Sequence, residues 1–498
     1  MRNHAFICQI SEEDWLVSRK IGFYGNREGT KRHGKICFFD NGSPTIQSII
    51  EDLVGIQKLD SVFFHVIKTA EGESSIHGVY QVRNEPFYND VRVWKSSPHF
   101  VFPYRFCFKP HPEHIELCVH DASILVSEFY AAIENGKISS IPTLEREVRG
   151  AAHAVKTISR EDAEQIIRLL YRSFPNRRIK QPIDFKPVHF KNMSPLRDHI
   201  VRIGEIEYAV KALVAYELGR ENPDFIQHIP ACRNIEYDFL IETFIGQTIR
   251  KPVDLLCIGT KDSGKIVTTI EAKTDRAEIE HLVQVLKYQE VFKTRNVDRG
   301  SLSYQYSSCL LAKRFHQELG QYVSARNLYV PREEVILLKY APSTDGKHAT
   351  FTSLALRRPS MLPSEPFPRI RTDGVDISLD PAGFYSELGK GMPARVDLEF
   401  DSSEENIIIL QRYYSHNNRK MNLGAVLVYV LDGECTDELF VKFMDRLHRE
   451  ALKFQGDFMA VEPVVIAEDY DNSVAFFIKE YNRYETRAGK QPISAYSY

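Results

Sequence analysis

Along the first 120 or so residues, apolar positions fall in short runs that predict strands: Ala5–Gln9, Ile36–Phe39, Ser61–Lys68, Ile76–Arg83 and Phe102–Lys109. Ile46–Leu53 has helical spacing instead, and polar, glycine-containing turns separate the runs, as in a small mixed barrel. From Arg160 to Arg172 the period lengthens, with Ala163, Ile166, Ile167 and Leu170 on one face and charges on the other. A proline-bearing connector, Phe174–Pro195, carries Arg177, Arg178, Lys180, Lys186 and Lys191. It reads either as a solvated linker or as a path for a polyanion.

The middle of the chain predicts a helix over Leu196–Leu218, then strands at Tyr237–Phe244, Val253–Ile258 and Ile266–Ala272. A helix near Ala277–Phe292 and strands at Ser308–Ala312 and Glu334–Leu338 follow. That alternation belongs to a mixed sheet flanked by helices. After a proline-rich boundary at Pro359–Pro368 the pattern is again α/β, with Leu423–Leu431, a helix from Thr436 to Phe454 and a strand-like Val474–Ile478. No internal repeat or low-complexity tract is legible. At 498 residues the chain has the length of about three domains of ~150 residues. The expected fold class is multidomain α/β, in segments 1–125, 126–195, 196–345 and 346–498.

Composition narrows the function classes. Basic and acidic residues nearly cancel, at 64 and 67, so the chain is not a general polycation, although local patches remain open. No apolar run approaches the ~18 residues that span a bilayer, and Glu12, Glu13 and Asp14 break any leader-like stretch. Eight cysteines are scattered without a C-x-x-C pair, mostly in apolar runs, the habit of reduced thiols in an intracellular protein. The expected setting is cytoplasmic, with no membrane and no disulfide framework.

The chemistry concentrates in the middle segment. Asp254 lies at the start of one predicted strand and Glu271-Ala272-Lys273 at the end of the next; Gly259–Lys265 joins them as a hairpin. Residues two apart on a strand share a face, so Glu271 and Lys273 project together, and antiparallel pairing can set Asp254 opposite Glu271. Two carboxylates, with the Ala272 carbonyl, make a hard-cation site suited to Mg²⁺, or Mn²⁺, and Lys273 stands beside it for a water or a phosphate. On the following helix Gln284 and Tyr288, four apart, share a face. Gly259–Lys265 also fits G-x-x-x-x-G-K, but Ile266 replaces the Ser/Thr a phosphate loop needs and a strand follows, so it reads as a turn.

Asp254, Glu271-Ala272-Lys273 and Gln284-Val-Leu-Lys-Tyr288 together resemble the PD-(D/E)xK nuclease superfamily, in its RecB-like, Q-x-x-x-Y form, over about residues 196–345. The resemblance implies a restriction-endonuclease-like α/β domain, catalytic roles for Asp254, Glu271, Lys273, Gln284 and Tyr288, and a further glutamate from the preceding helix. Glu205 and Glu207 compete for that place. With Ile203, Ile206, Val210, Leu213 and Val214 as the apolar stripe, Glu207 falls about 40° from Ile203 and Glu205 about 200° at 100° per residue, which favours Glu207.

In the N-terminal segment, Ile21–Asn26, Ser61–His65, Ile76–Tyr80, Val93-Trp94 and Phe102–Phe106 resemble the PUA-like superfold, nearest its EVE and YTH branches. That resemblance implies a mixed β-barrel whose aromatic cage receives a flipped base, with Tyr24 and Trp94 as cage rings and Asn26 or another nearby polar group reading the base edge. Barrel core is the competing reading of both rings, and packing the reading of Trp15. His111, His114, Cys118 and His120 hold metal-binding residue types, but Pro112 and the alternation through Ile115–His120 point to structural histidines.

The combined expectation is a Mg²⁺-dependent endonuclease that cuts DNA after a modified base is read: modification-dependent restriction in antiviral defence. A homodimer would serve to cut both strands. A repair nuclease for mismatched or branched DNA, and a non-catalytic nucleic-acid-binding protein, are the alternatives. For residues 346–498 no motif assigns a role.

Overall fold

The computed structural model describes residues 4–32, 35–40, 42–68, 72–94, 100–135, 137–138, 154–233, 235–243, 253–261, 264–278, 281–282, 284–286, 288–289, 303–329, 333–354, 367–369, 379–390, 396–404, 406–416, 419–453, 461–487 and 492–498. They form a multidomain, mixed α/β protein. Contacts divide the chain into two compact units. The first comprises residues 1–244, 252–275 and 340–352, and the second residues 245–251, 276–339 and 353–498. Most of the expected Pro359–Pro368 boundary lies outside the described residues. No helix among the described residues is long and apolar enough to cross a membrane. All eight cysteines are free thiols; seven are buried and Cys37 is exposed.

In the first unit, β1 (Ala5–Ser11) runs parallel to β2 (Ser61–Ile67), which pairs antiparallel with β3 (Ser75–Val82), and β3 pairs in turn with β4 (Tyr104–Pro110). Phe23–Asn26 adds to β4, and Val155–Ile158 adds to β1, giving a curled mixed sheet. Helix α1 (Glu12–Ile21) follows β1 without a break, because the Ser11 hydroxyl accepts the Asp14 amide and Gly22, at φ 68°, closes the far end. The basic connector is strapped down: the amides of Ile179, Ile183, Lys186 and Val188 donate to the carbonyls of His120, Val119, Lys20 and Ile21.

Two local expectations change here. The expected long helix from Leu196 is a 3₁₀ turn, Leu196–His199, followed by irregular backbone in which Gly204 has φ 88°. Helix α2 (Glu207–Gly219) begins only at Glu207. Gly204 adopts a left-handed conformation that a helix cannot continue through. The stretch Ile115–His120, expected to alternate like a strand, forms a short helix, Ile115–Val119, behind the 3₁₀ turn Pro112–His114. His111 starts that turn by accepting the Glu113 amide, and Pro112 supplies its first position.

Helix α2 is buried on all sides from Ala209 to Gly219, so it behaves as a central helix and not as a surface stripe. Helix Pro44–Val54 packs against it. The approach is closest at Gly219, where a Cβ would stand 2.0 Å from the Gly55 carbonyl oxygen. Next come three antiparallel strands, β5 (Glu236–Thr243), β6 (Val253–Lys261) and β7 (Gly264–Ala272). Gly259 pairs with Ile266 and Lys261 with Gly264, so the phosphate-loop look-alike is a hairpin.

In the second unit, β8 (Ser303–Ala312) runs parallel to the strand β9 (Glu333–Pro342), with helix α3 (Gln317–Tyr329) between them. Strands β10 (Val396–Glu404), β11 (Ile407–His416) and β12 (Arg419–Val430) are antiparallel. Helix α4 (Asp437–Lys453), β13 (Val461–Ala467), helix α5 (Asn472–Arg487) and β14 (Ser494–Ser497) complete the order, with β12, β13 and β14 mutually parallel. Val474–Ile478, expected as a strand, belongs to α5. Val474, Phe477, Ile478 and Tyr481 are all buried at the i, i+3, i+4, i+7 spacing of one helix face.

Candidate active site

The β6–β7 hairpin sets Leu255 opposite Ile270, and one further step along that register sets Asp254 opposite Glu271. Asp254 is held in place because its Oδ2 accepts the Ala272 amide at 2.9 Å. Glu271 and Lys273, two apart at the end of β7, do project together: the Lys273 Nζ lies 2.8 Å from Glu271 Oε1. The same ammonium is 3.4 Å from Oε2 of Glu207, in the first turn of α2. Glu205 is exposed in the preceding irregular stretch. The hydroxyl of Tyr340 donates to the carbonyls of Lys273 and Thr274, at 3.2 and 2.7 Å, and so pins the chain where it leaves the strand.

Burial grades across the cluster. The side chains of Glu271 and Asp254 are 3 % and 9 % exposed, Lys273 14 % and Glu207 43 %, so a deep carboxylate pair opens through the lysine to solvent. Desolvation, and then the charge of Asp254, push the Glu271 carboxyl up to about 8, against the pull of Lys273. Burial works against the Lys273 ammonium, but the charges of Glu271, Asp254 and Glu207 outweigh it and hold its pKa above the ordinary lysine value. Asp254, Glu271 and Glu207 offer three carboxylates around the Lys273 ammonium, the first two of them buried. Oxygen donors in that state fit a hard divalent cation.

Sequence reasoning missed two members. Lys211, one turn beyond Glu207, is 3 % exposed, with its Nζ 3.7 Å from Asp254 Oδ1 and 3.8 Å from Glu51 Oε1. Glu51, fully buried, comes from helix Pro44–Val54 of the N-terminal sheet region. Four residues before it, Gln47 holds the adjoining segment, giving its Nε2–H to the His199 carbonyl and accepting the Val201 amide. A lone lysine inside the apolar run Ala209–Val214 was the available signal for a buried partner. Glu51 carried no comparable signal.

In the second unit, the Nε2 of Gln284 donates to the Tyr288 hydroxyl at 2.7 Å, which is the one-face pairing expected of positions four apart; Tyr288 is buried. In the first unit, Tyr24 and Trp94 are 1 % and 3 % exposed. The Tyr24 hydroxyl donates to the Gln9 carbonyl and to Asn26 Oδ1, each at 3.1 Å. Trp94 packs between Phe23 and Phe102 and gives its indole N–H to Ser18 Oγ at 3.0 Å. As they stand, both rings are filled into the core, and a base would enter only by parting Trp94 from its neighbours. The side-chain nitrogen of Asn26 is buried with no acceptor among the described residues. Trp15 is packed on Phe64 and donates to Asp121.

The histidine cluster divides. His111, Glu113 and His114 bring ligand atoms within 4.8 Å of one another, a grouping that could hold a metal ion without specifying Mg²⁺. Cys118 points away, its thiol donating to the Val79 carbonyl, and the His120 ring is bonded to the Ile179 carbonyl.

No family model matches the chain, and no curated protein does. Among solved structures it is similar to a hypothetical protein from Leishmania major, at 12 % identity and a TM-score of 0.21, over 34 % of this chain and 97 % of that one.

Proposed function

We propose that the chain is a divalent-cation-dependent nuclease that hydrolyses DNA phosphodiester bonds at the Asp254–Glu271–Lys273–Glu207 cluster. One observation carries this reading: a buried carboxylate pair at adjoining strand ends, with a lysine amine 2.8 Å from one of them and an outer glutamate 3.4 Å from that amine. Asp254, Glu271, the Ala272 carbonyl and Glu207 are the groups that would hold Mg²⁺ or Mn²⁺. When bound, such an ion makes a water more acidic and offsets charge on the phosphate. Lys273, mostly buried and tethered between two carboxylates, orients the attacking water and neutralises charge on the non-bridging oxygens. The water oxygen adds to phosphorus and releases a proton to solvent, the bond from phosphorus to the leaving sugar oxygen breaks, and that oxygen takes up a proton from solvent, so that one water is consumed.

Modified-base reading by the N-terminal sheet, with restriction of foreign DNA as its purpose, is the finer part of the proposal. Its support is the motif resemblance together with the buried amide nitrogen of Asn26, which has no acceptor among the described residues.

The test uses the full chain, Mg²⁺ and matched duplexes that are unmodified, methylated, hydroxymethylated, mismatched or branched, with Lys273→Ala as control. Cutting of one modified duplex supports the whole reading. Equal cutting of all duplexes removes base reading, and preference for mismatched or branched duplexes replaces it with repair. Cutting that survives Lys273→Ala and Glu271→Ala removes the assigned centre.

A further inference from the structure

The C-terminal region repeats the middle of the chain, although the two sequences show no visible repeat. From Glu236 to Pro342 the order is three antiparallel strands, a two-residue strand, helical residues at 281–282, 284–286 and 288–289, a strand, a second two-residue strand, a helix and a strand. From Val396 to Ser497 it is the same, with helix α4 in the place of those helical residues. The small features recur as well. Arg276–Ala277 pairs parallel with Arg314–Phe315, and Glu434–Cys435 pairs parallel with Asp469–Tyr470. The Tyr340 hydroxyl donates to the Lys273 carbonyl, and the Tyr498 hydroxyl donates to the Leu431 carbonyl.

The first short strand and the two tyrosines fix an alignment at one constant offset: Lys273 with Leu431, Ala277 with Cys435, Tyr340 with Tyr498. The buried positions then coincide. Leu282, Val285 and Leu286 fall on Phe440, Phe443 and Met444. At the slightly smaller offset set by the second short strand, Leu319, Tyr322 and Val323 fall on Val474, Phe477 and Ile478. All twelve belong to one hydrophobic core of the second unit. There the matched helices α3 and α5 meet through a matched pair, with the rings of Tyr322 and Phe477 stacked at 4.4 Å. Contact of a position with its own equivalent is the signature of a two-fold, isologous interface.

The alignment places Tyr429 where Glu271 stands and Leu431 where Lys273 stands. The strand partner of Tyr429 is Ile407, in the place of Asp254. Ile407, Tyr429 and Leu431 are buried and offer no carboxylate or amine. Asp397 and Glu399, which carry the acidic spacing of the region, lie on β10 instead.

We infer that the C-terminal region is a second copy of the central fold, with its helices packed on the matching central helices in one core of the second unit, and that it lacks the cation site. It acts as a built-in silent partner. Resting on the nuclease reading above, this gives each chain a single cutting centre, which opens one strand of a duplex per encounter.

The test counts Mn²⁺ by calorimetry on the full chain carrying His114→Ala, which removes the His111–Glu113–His114 grouping from the count, and follows supercoiled plasmid, unmodified and methylated, with Mg²⁺. One ion per chain is expected. It should be lost in Asp254→Asn and held at least tenfold more weakly in Glu207→Gln, a change at a half-open side chain that spares the core. Open circles should accumulate before linear plasmid. A second ion that survives Asp254→Asn, or linear plasmid as the first product of a chain that sediments as a monomer, overturns the single-centre inference alone. A chain that binds no Mn²⁺, or binds one ion and cuts neither strand, overturns the nuclease reading and this inference with it.

Discussion

At the end of the strand Gly264–Ala272 stand Glu271 and Lys273, facing Asp254; at the matching end of Arg419–Val430 stand Tyr429 and Leu431, facing Ile407. The two regions share element order, the short parallel strand pairs and a tyrosine pinning the strand exit. They differ in the chemistry they bury. A fold built equally well on isoleucine, tyrosine and leucine does not need two carboxylates and an ammonium at that point. Apolar replacement of buried ionic groups is commonly neutral or stabilising. The cluster around Glu271 is therefore a cost carried by one copy and shed by the other, and its retention calls for a use.

The comparison can be broken most decisively by activity. Lys273→Ala or Glu271→Ala should lower cleavage about 10³-fold, the scale of losing a charge-stabilising or proton-handling group, with duplex binding nearly unchanged in band shifts. Leu431→Ala, at the matched position, should leave the cleavage rate within about threefold on the same reading. Comparable losses in both would end the distinction between a working and a silent copy.

Stability gives the next effect. Lys211→Met leaves Glu51 and Asp254 buried without their shared ammonium and should cost about 3–5 kcal/mol in chemical denaturation. Adding Glu51→Gln should recover a large part of that loss. An additive double variant would show that the two groups do not act as a pair.

A pH series then probes the deep carboxyl. The folded-state pKa of Glu271 is raised to about 8, above its ordinary value, so its contribution is complete below about pH 4.5 and is lost as pH rises through about 8. Without divalent ions, the melting temperature should carry a downward component over that window. Glu271→Gln should remove the component, and saturating Mg²⁺ should offset it. An identical slope in Glu271→Gln would place the titration elsewhere.

The smallest effect sharpens the equivalence itself. Tyr340→Phe and Tyr498→Phe each delete one hydroxyl that donates to a strand-exit carbonyl, and each should cost about 1 kcal/mol. A large cost for one and none for the other would weaken the alignment of the two copies.

Much of this was legible before the structure. The hairpin bearing Asp254 and Glu271 followed from alternation and a short polar turn, since strand register is enforced locally by which face is buried. Glu207, and not the exposed Glu205, is the glutamate that meets Lys273, but the wheel that selected it assumed a helix through Gly204, where none exists. Helix Glu12–Ile21 carried its own signals, a serine cap and an acidic first turn, which the strand-like surroundings obscured. Val474–Ile478 misled because five apolar residues fit a strand and a buried helix equally well; Tyr481, one turn on, decides for the helix.

The sequence by itself determined the alternation of elements, the acidic hairpin and the free, mostly buried thiols, because each depends on neighbours in the chain. Tertiary structure alone decided that Lys211 and Glu51 belong to the site, that Tyr24 and Trp94 are packed shut, and that Tyr322 meets Phe477. Those facts depend on residues far apart in sequence being brought within a few ångströms. A duplicated fold hides in the same way: burial and pairing demand apolar residues in matching places, but not the same apolar residues.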